Sequence, residues 1–259
     1  MKVKVLILYG YGINCDNETQ FGFGLAGAEA EKVHINQLIS GEKGLRDYQI
    51  LAIPGGFSFG DDIGAGKVLA TKIKYNLAEE FQEFINEEKL IIGICNGFQV
   101  LVKLGILPGF DKNYTNQDVT LTFNNSGRFE DRWVWLKINQ KSPCIFTKGI
   151  EKLYLPVRHG EGKFVSKNEI IRERLIAQNQ IVVHYADDRG NLSDYPWNPN
   201  GSELNIAGIC DETGRIFGLM PHPESFLFPQ NHPRWTRMKI KEGEGLKIFK
   251  NAVSFVKHN

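Results

Sequence analysis

Apolar residues follow two textures along this chain. In the first hundred positions they form short unbroken runs at Lys2–Tyr9, Val33–Ile35, Gln49–Ile53 and Leu90–Ile94, separated by glycine, proline or polar clusters. Helical spacing lies between them: one segment is capped by Asn14 or Asp16 and runs to about Gly27. A second, Leu77–Glu88, sets Leu77, Phe81, Phe84 and Ile85 on one face. Strands without polar alternation, separated by helices, suit a parallel sheet covered on both faces. After Pro108 short strand candidates follow one another with little helical pattern: Thr120–Phe123, Trp133–Ile138, Leu153–Val157, Ile181–Tyr185, Asn205–Ile209 and Ile216–Met220. A last helix is predicted from Gly245 to about Val256, with Leu246, Phe249, Val253 and Val256 on one side. The pattern predicts a doubly wound α/β domain, mostly parallel, with antiparallel additions in the C-terminal half. No repeat or linker divides it, so residues 1–259 are expected to form a single domain. The stretch Asp187–Glu203, rich in Gly, Asn, Pro and Ser, reads as a long loop of the kind compact domains keep for function.

Composition removes several function classes. With 31 basic and 30 acidic side chains the chain lacks the positive excess that draws a protein onto nucleic acid or anionic lipid. No apolar run reaches the length of a membrane span, and the N-terminus alternates lysine with β-branched residues instead of building a signal-peptide core. Cys15, Cys95, Cys144 and Cys210 are scattered, without C-x-x-C spacing, so reduced thiols in a cytoplasm fit better than a disulfide framework or a zinc knuckle. The six histidines show no i, i+4 pair with an acidic neighbour, and no metal site is expected.

Two glycine-rich stretches imitate nucleotide motifs. Gly22-Phe23-Gly24-Leu25-Ala26-Gly27 matches G-x-G-x-x-G but falls inside the predicted helix, where small residues serve close packing against the sheet. Gly64-Ala65-Gly66-Lys67 resembles half a P-loop, yet Asp61 stands where the first glycine belongs and Val68 replaces the magnesium-binding hydroxyl. Neither is read as a cofactor site.

The informative segment is Gly93-Ile94-Cys95-Asn96-Gly97-Phe98-Gln99. An apolar strand ends on a small nucleophile with glycine two residues before and two after, then turns at once into a helix: a nucleophile elbow in thiol form. Cys95 would stand exposed above the carboxyl edge of the sheet, its thiolate favoured by the helix dipole and free N–H groups. A thiol needs a base and oxyanion donors. His222 and Glu224, two residues apart at the end of the last strand, project to one side about 6–7 Å apart if the segment stays extended, as Pro221 and Pro223 favour. Glu224 would then orient the imidazole while His222 serves Cys95. The strand ending in Gly55-Gly56 should reach the same sheet edge, where the Gly56 and Asn96 amides could form an oxyanion hole. Cys15, which also follows a strand, is the rival thiol, without the glycine frame.

These three pieces in this order resemble the triad-type, or class I, glutamine amidotransferase family over nearly the whole chain. That family carries a glycine-rich oxyanion strand, a G-x-C-x-G-x-Q elbow and a terminal H-P-E, matched here by Gly55-Gly56, Gly93 to Gln99 and His222-Pro223-Glu224. The resemblance implies a flavodoxin-like scaffold, Cys95 as nucleophile, His222 as base, Glu224 as its orienter, and Gln99 holding glutamine. Gly55-Gly56-Phe57-Ser58-Phe59-Gly60-Asp61, Asn125-Ser126 with Arg128-Phe129, and His159-Gly160-Glu161-Gly162 are similar to the glutaminase family of phosphoribosylformylglycinamidine synthases. That similarity implies Gly55, Asn125 and Ser126 as further substrate-binding residues, L-glutamine as substrate and ammonia as the product handed on. It implies a synthase subunit as partner, a small accessory subunit as an optional third component, and ATP and Mg on the partner, with no cofactor in this chain. Asn198-Pro199-Asn200-Gly201-Ser202 is similar to the glutaminase part of the large single-chain synthases, whereas the chain as given carries no synthase portion and reads as a stand-alone subunit. The loop Asp187–Glu203 and the segment Pro229–Arg237 are expected to face the partner. The alternatives are a subunit of another ammonia-using synthase, a cysteine hydrolase, or a non-catalytic binding module on the same scaffold.

Overall fold

The computed structural model describes residues 2–259. Its centre is a nine-stranded sheet in the order β2-β1-β3-β4-β11-β10-β9-β6-β7. Five strands make the parallel half: β1 (Lys4–Tyr9), β2 (Glu29–His34), β3 (Ile50–Ile53), β4 (Leu90–Ile94) and β11 (Ile216–Leu219). The order 2-1-3-4-11 is the flavodoxin-like winding, with the chain reversing direction of growth beside β1 and β3. All residues of β3 and β4 are buried, as their unbroken apolar runs require. Antiparallel strands extend the sheet: β10 (Ile206–Cys210), β9 (Ile181–Ala186), β6 (Glu130–Ile138) and β7 (Lys152–His159). In β6 burial alternates, with Val134, Leu136 and Ile138 inside and Asp131 and Lys137 outside, the period of a strand with one wet face.

The helices are α1 (Asp16–Leu25), α2 (Ile35–Ile39), α3 (Lys67–Asn76), α4 (Ala78–Asn86), α5 (Asn96–Leu104), α6 (Glu169–Ala177) and α7 (Leu246–His258). Several expectations are corrected. Neither Asn14 nor Asp16 caps α1; Cys15 holds that position without a side-chain cap, and the Thr19 hydroxyl donates back to its carbonyl at 2.7 Å. Gly22 lies inside α1, but the close packing it permits is against the Phe249 ring of α7, 3.0 Å from where a Cβ would sit, not against the sheet. The glycine-rich stretch at 64–66 opens α3, a helix hidden from the sequence because its lysines interrupt the apolar stripe of Leu69, Ala70 and Ile73. Thr120–Phe123 does not join the main sheet. Its strand, β5 (Val119–Thr122), pairs with β8 (Lys163–Ser166) as a separate antiparallel ribbon. β8 and α6 were not legible because each presents only a short or weakly amphipathic face; Leu175 is the one buried residue of α6.

Candidate active site

The carboxyl ends of β3, β4 and β11 converge on one sheet edge, and each delivers one part of the site. Cys95 follows β4 and precedes α5 with φ 50° and ψ −104°, a conformation that costs a non-glycine residue about 1–3 kcal/mol and that elbows retain. The turn is locked from both sides: the Cys95 amide donates to Leu219 at 2.8 Å, and the Gln99 amide donates to the Cys95 carbonyl at 3.1 Å. Gly97 is obligatory because a Cβ there would lie 1.8 Å from the Ile53 carbonyl oxygen at the end of β3. Cys95 is not exposed above the sheet, as the sequence suggested; only 4% of its surface is accessible, and its thiol donates to the Arg158 carbonyl at 3.7 Å.

Leu219 ends β11, so the bond that fixes Cys95 also brings the chain three residues further on to its side. There the His222 amide donates to Pro156 at 2.9 Å, and the His222 ring and Glu224 are both buried. Nδ1 of His222 lies 2.5 Å from Glu224 Oε1. The pair is not spaced by an extended segment: Pro223–Ser225 form a 3₁₀ turn, which folds the carboxylate back onto the ring two residues earlier. With Nδ1 committed to Glu224, Nε2 is the free ring nitrogen, and it has no hydrogen-bond partner among the described residues. Burial opposes charge on this imidazole, but the Glu224 carboxylate and then the charge of an ionised Cys95 outweigh it, holding His222 well above the ordinary histidine value.

Gly55 lies between these groups. A Cβ on it would sit 2.8 Å from His222 Cε1, and 3.4 Å from both Cys15 Sγ and Cys95 Cβ. Its carbonyl accepts from the amides of Asn14 and Cys15 at 3.3 and 3.2 Å, zipping the end of β3 to the start of α1. The ladder bonds around Gly56 are made by its neighbours, Phe57 to Gly12 at 2.8 Å among them, and Gly56 itself turns with φ 144°. Asn96 begins α5, where helical N–H groups have no intrahelical acceptor. Gly56 follows the end of β3, and Asn96 follows Cys95 directly at the start of α5.

The Asn96 side chain joins the two. It accepts from the Ser58 amide at 3.2 Å and donates to Asp61 at 2.9 Å and to Gln99 Oε1 at 3.0 Å. Gln99 Nε2 in turn donates to the Glu161 carbonyl, so both ends of Gln99 are engaged inside the protein. Glu161 receives the Ala65 amide on its carboxylate at 3.3 Å. Asp61 and Glu161 thus hold the 57–66 loop against the elbow, parts the sequence reading quoted only as motif letters. An acidic residue set beside glycine in a tight turn was the available signal.

Asn125 and Ser126 are not brought to Cys95. They line a separate cleft of about 580 Å³ with Arg128, Glu130, Tyr195 and Asn198. The Phe129 ring centroid lies 6.1 Å from that of Phe57. The loop Asp187–Glu203 divides. Its second part turns inward, where Asn200 donates to Gly162 at 2.8 Å and the Ser202 hydroxyl takes the Phe164 amide at 2.9 Å. That half is buried scaffold, whereas Leu192 and Tyr195 remain exposed. Cys15 does approach the site, with Sγ 4.0 Å from His222 Nδ1. Burial pushes its thiol up, which keeps it protonated and disfavours it as nucleophile.

A thiol on a strained elbow and an imidazole bonded to a buried carboxylate thus meet at one edge of a doubly wound sheet. The family model for the CobB/CobQ-like glutamine amidotransferase domain matches residues 2–256, and the chain belongs to that family. Within it, relatives at 43–54% identity are phosphoribosylformylglycinamidine synthase subunits of the PurQ kind. The chain is 54% identical over 258 residues to subunit PurQ of Dehalococcoides mccartyi, covering 99% of this chain and 98% of the relative. It is 48% identical over 265 residues to PurQ of Methanococcus maripaludis, covering 97% of each. Among solved structures, a chain of PurLQS from Thermotoga maritima superposes with a TM-score of 0.73 at 30% identity, covering 99% of this chain and 100% of that one. No helix among the described residues is long and apolar enough to cross a membrane.

Proposed function

We propose that this chain hydrolyses glutamine at Cys95, His222 and Glu224 and passes the ammonia to a phosphoribosylformylglycinamidine synthase subunit of de novo purine biosynthesis. The observation that carries the reading is the buried His222–Glu224 pair beside the Cys95 elbow. Nε2 of His222, its pKa raised, already holds the proton given up by Cys95, and the Cys95 thiolate attacks the side-chain carbonyl carbon of glutamine. The tetrahedral oxyanion accepts from the Gly56 and Asn96 amides, each such donor being worth about 3 kcal/mol. Collapse breaks the C–N bond, His222 returns the proton to the leaving nitrogen, and ammonia departs. Water, deprotonated by the same nitrogen, then cleaves the glutamyl thioester. Glu224 keeps the imidazole proton on Nδ1 throughout and stabilises the imidazolium.

Gln99 acts in this reading by holding Asn96, and it is Gly55 that lets the imidazole approach. Asn125 and Ser126 belong to the neighbouring cleft and reach glutamine only if the substrate extends past Phe129. ATP and Mg are assigned to the synthase partner in the cytoplasm, and the exposed parts of the 187–197 and 229–237 segments to its docking face. The test is Cys95→Ser in the assembled synthase. It should abolish glutamine-dependent amidine formation while ammonium salts still support the reaction; turnover of glutamine by that variant would overturn the assignment.

A further inference from the structure

We propose that Cys15, His222 and Glu224 form a capture site for a soft divalent cation, zinc being the fitting one, which switches the glutaminase centre off. The sulfur of Cys15, a ring nitrogen of His222 and a carboxylate oxygen of Glu224 lie within 4.8 Å of one another, and all three residues are buried. A thiol, an imidazole and a carboxylate are the donor types zinc takes, at about 2.3, 2.0–2.1 and 2.0–2.2 Å. Tetrahedral bonds of those lengths separate the donor atoms by roughly 3.3–3.6 Å. Here Cys15 Sγ stands 4.0 Å from His222 Nδ1, and that nitrogen 2.5 Å from Glu224 Oε1. One contact must close and the other open, each by less than an ångström.

A second observation points to a ligand. Glu224 is only 3% exposed, yet its Oε2 has no hydrogen-bond partner among the described residues. A buried acceptor left unpaired costs about 1–3 kcal/mol, and a bound cation would satisfy it.

Capture has a definite chemical consequence. Cys15 releases its thiol proton to solvent and binds as thiolate. Nδ1 of His222 gives its lone pair to the metal, so the imidazole proton must reside on Nε2. That nitrogen can then no longer accept the proton of Cys95. This consequence rests on the reading of His222 as base; the binding itself does not.

The experiment is titration of the purified full chain with zinc chloride against a chromogenic chelator, with cobalt(II) as a spectroscopic probe. The wild type should take up one zinc per chain, and cobalt should give a thiolate charge-transfer band with tetrahedral d–d intensity. Cys15→Ser keeps a good cap for α1 and should fold; it is expected to lose about tenfold or more in zinc affinity and the charge-transfer band. Cys144→Ser, at a thiol outside the cluster, should bind as the wild type does. In the assembled synthase, zinc should inhibit glutamine-dependent turnover of the wild type, and Cys15→Ser should need about tenfold more zinc for the same effect. Equal zinc affinity in Cys15→Ser and wild type, or no stoichiometric uptake, would overturn the proposal. Loss of the catalytic reading alone would leave uptake and the cobalt band intact while removing the inhibition.

Discussion

The Asn96 side chain donates to Asp61 at 2.9 Å, tying the residue after Cys95 to a loop 35 positions earlier. That loop is strained: Phe59, Asp61 and Ile63 all have φ near 55°. Each such residue costs about 1–3 kcal/mol, so the loop keeps its shape only while its tethers hold. Asp61→Ala should lower kcat for glutamine about 10–100-fold with little change in ammonia-dependent turnover. Asp61→Asn, which keeps an acceptor oxygen, should restore most of it. Steady-state assays of the assembled synthase with each nitrogen source check both, and equal losses with glutamine and ammonia would refute the positioning role.

Glu224 touches the His222 ring, so in the proposed mechanism it acts through the imidazole rather than through substrate. Replacing its carboxylate by an amide in Glu224→Gln leaves the volume intact but lets the ring adopt the wrong tautomer. The expected loss in kcat is about 10²–10⁴-fold. Single-turnover formation of the glutamyl thioester measures it, and an unchanged rate would detach Glu224 from the chemistry.

Cys95 and His222 are both almost wholly buried, at 4% and 2% exposure, so the site is closed in the chain alone. A glutamine-mimicking electrophile should therefore label Cys95 slowly in the isolated chain and faster once the synthase subunit is bound. Mass-spectrometric mapping of the modified cysteine over time reads this. Equal rates would show that docking does not open the site.

His159 gives a pH dependence of stability. Burial above all, and then the charge of His222, lower its pKa to about 3. In the unfolded chain a histidine titrates near 6.5. Between those values the unfolded state holds a proton that the folded state does not, so stability is complete above about pH 6.5 and falls as the pH drops toward 3. The full span is worth roughly 5 kcal/mol, and about 2–3 kcal/mol should be gone by pH 4.5. Urea denaturation at pH 7 and 4.5 should show a smaller difference in His159→Gln than in the wild type.

Two glycines should respond oppositely to alanine. Gly97→Ala places a methyl 1.8 Å from the Ile53 carbonyl oxygen, a backbone atom that cannot rotate away, and should cost about 3 kcal/mol or more. Gly24, in α1 with nothing within 4 Å of its Cβ direction, should gain about 0.5–1 kcal/mol as alanine. Denaturation midpoints of the two variants test the difference.

Local pattern made the parallel half of the fold and the elbow legible. Unbroken apolar runs such as Leu90–Ile94 have one use in a soluble chain, and G-x-C-x-G carries its geometry within five residues. The same is true of His222 and Glu224 as a pair, although the turn that joins them was mistaken for an extended segment. What the sequence alone determined is therefore the winding of the sheet and the identity of the three groups at its edge. Only the tertiary structure decided that Cys15 lies against His222, that Asp61, Asn96, Gln99 and Glu161 form one clamp, and that Asn125 lies in another cleft. Those relationships join positions far apart in the chain through single hydrogen bonds or close approaches, which impose no period or spacing on the sequence. They exist only once β3, β4 and β11 have brought their ends together.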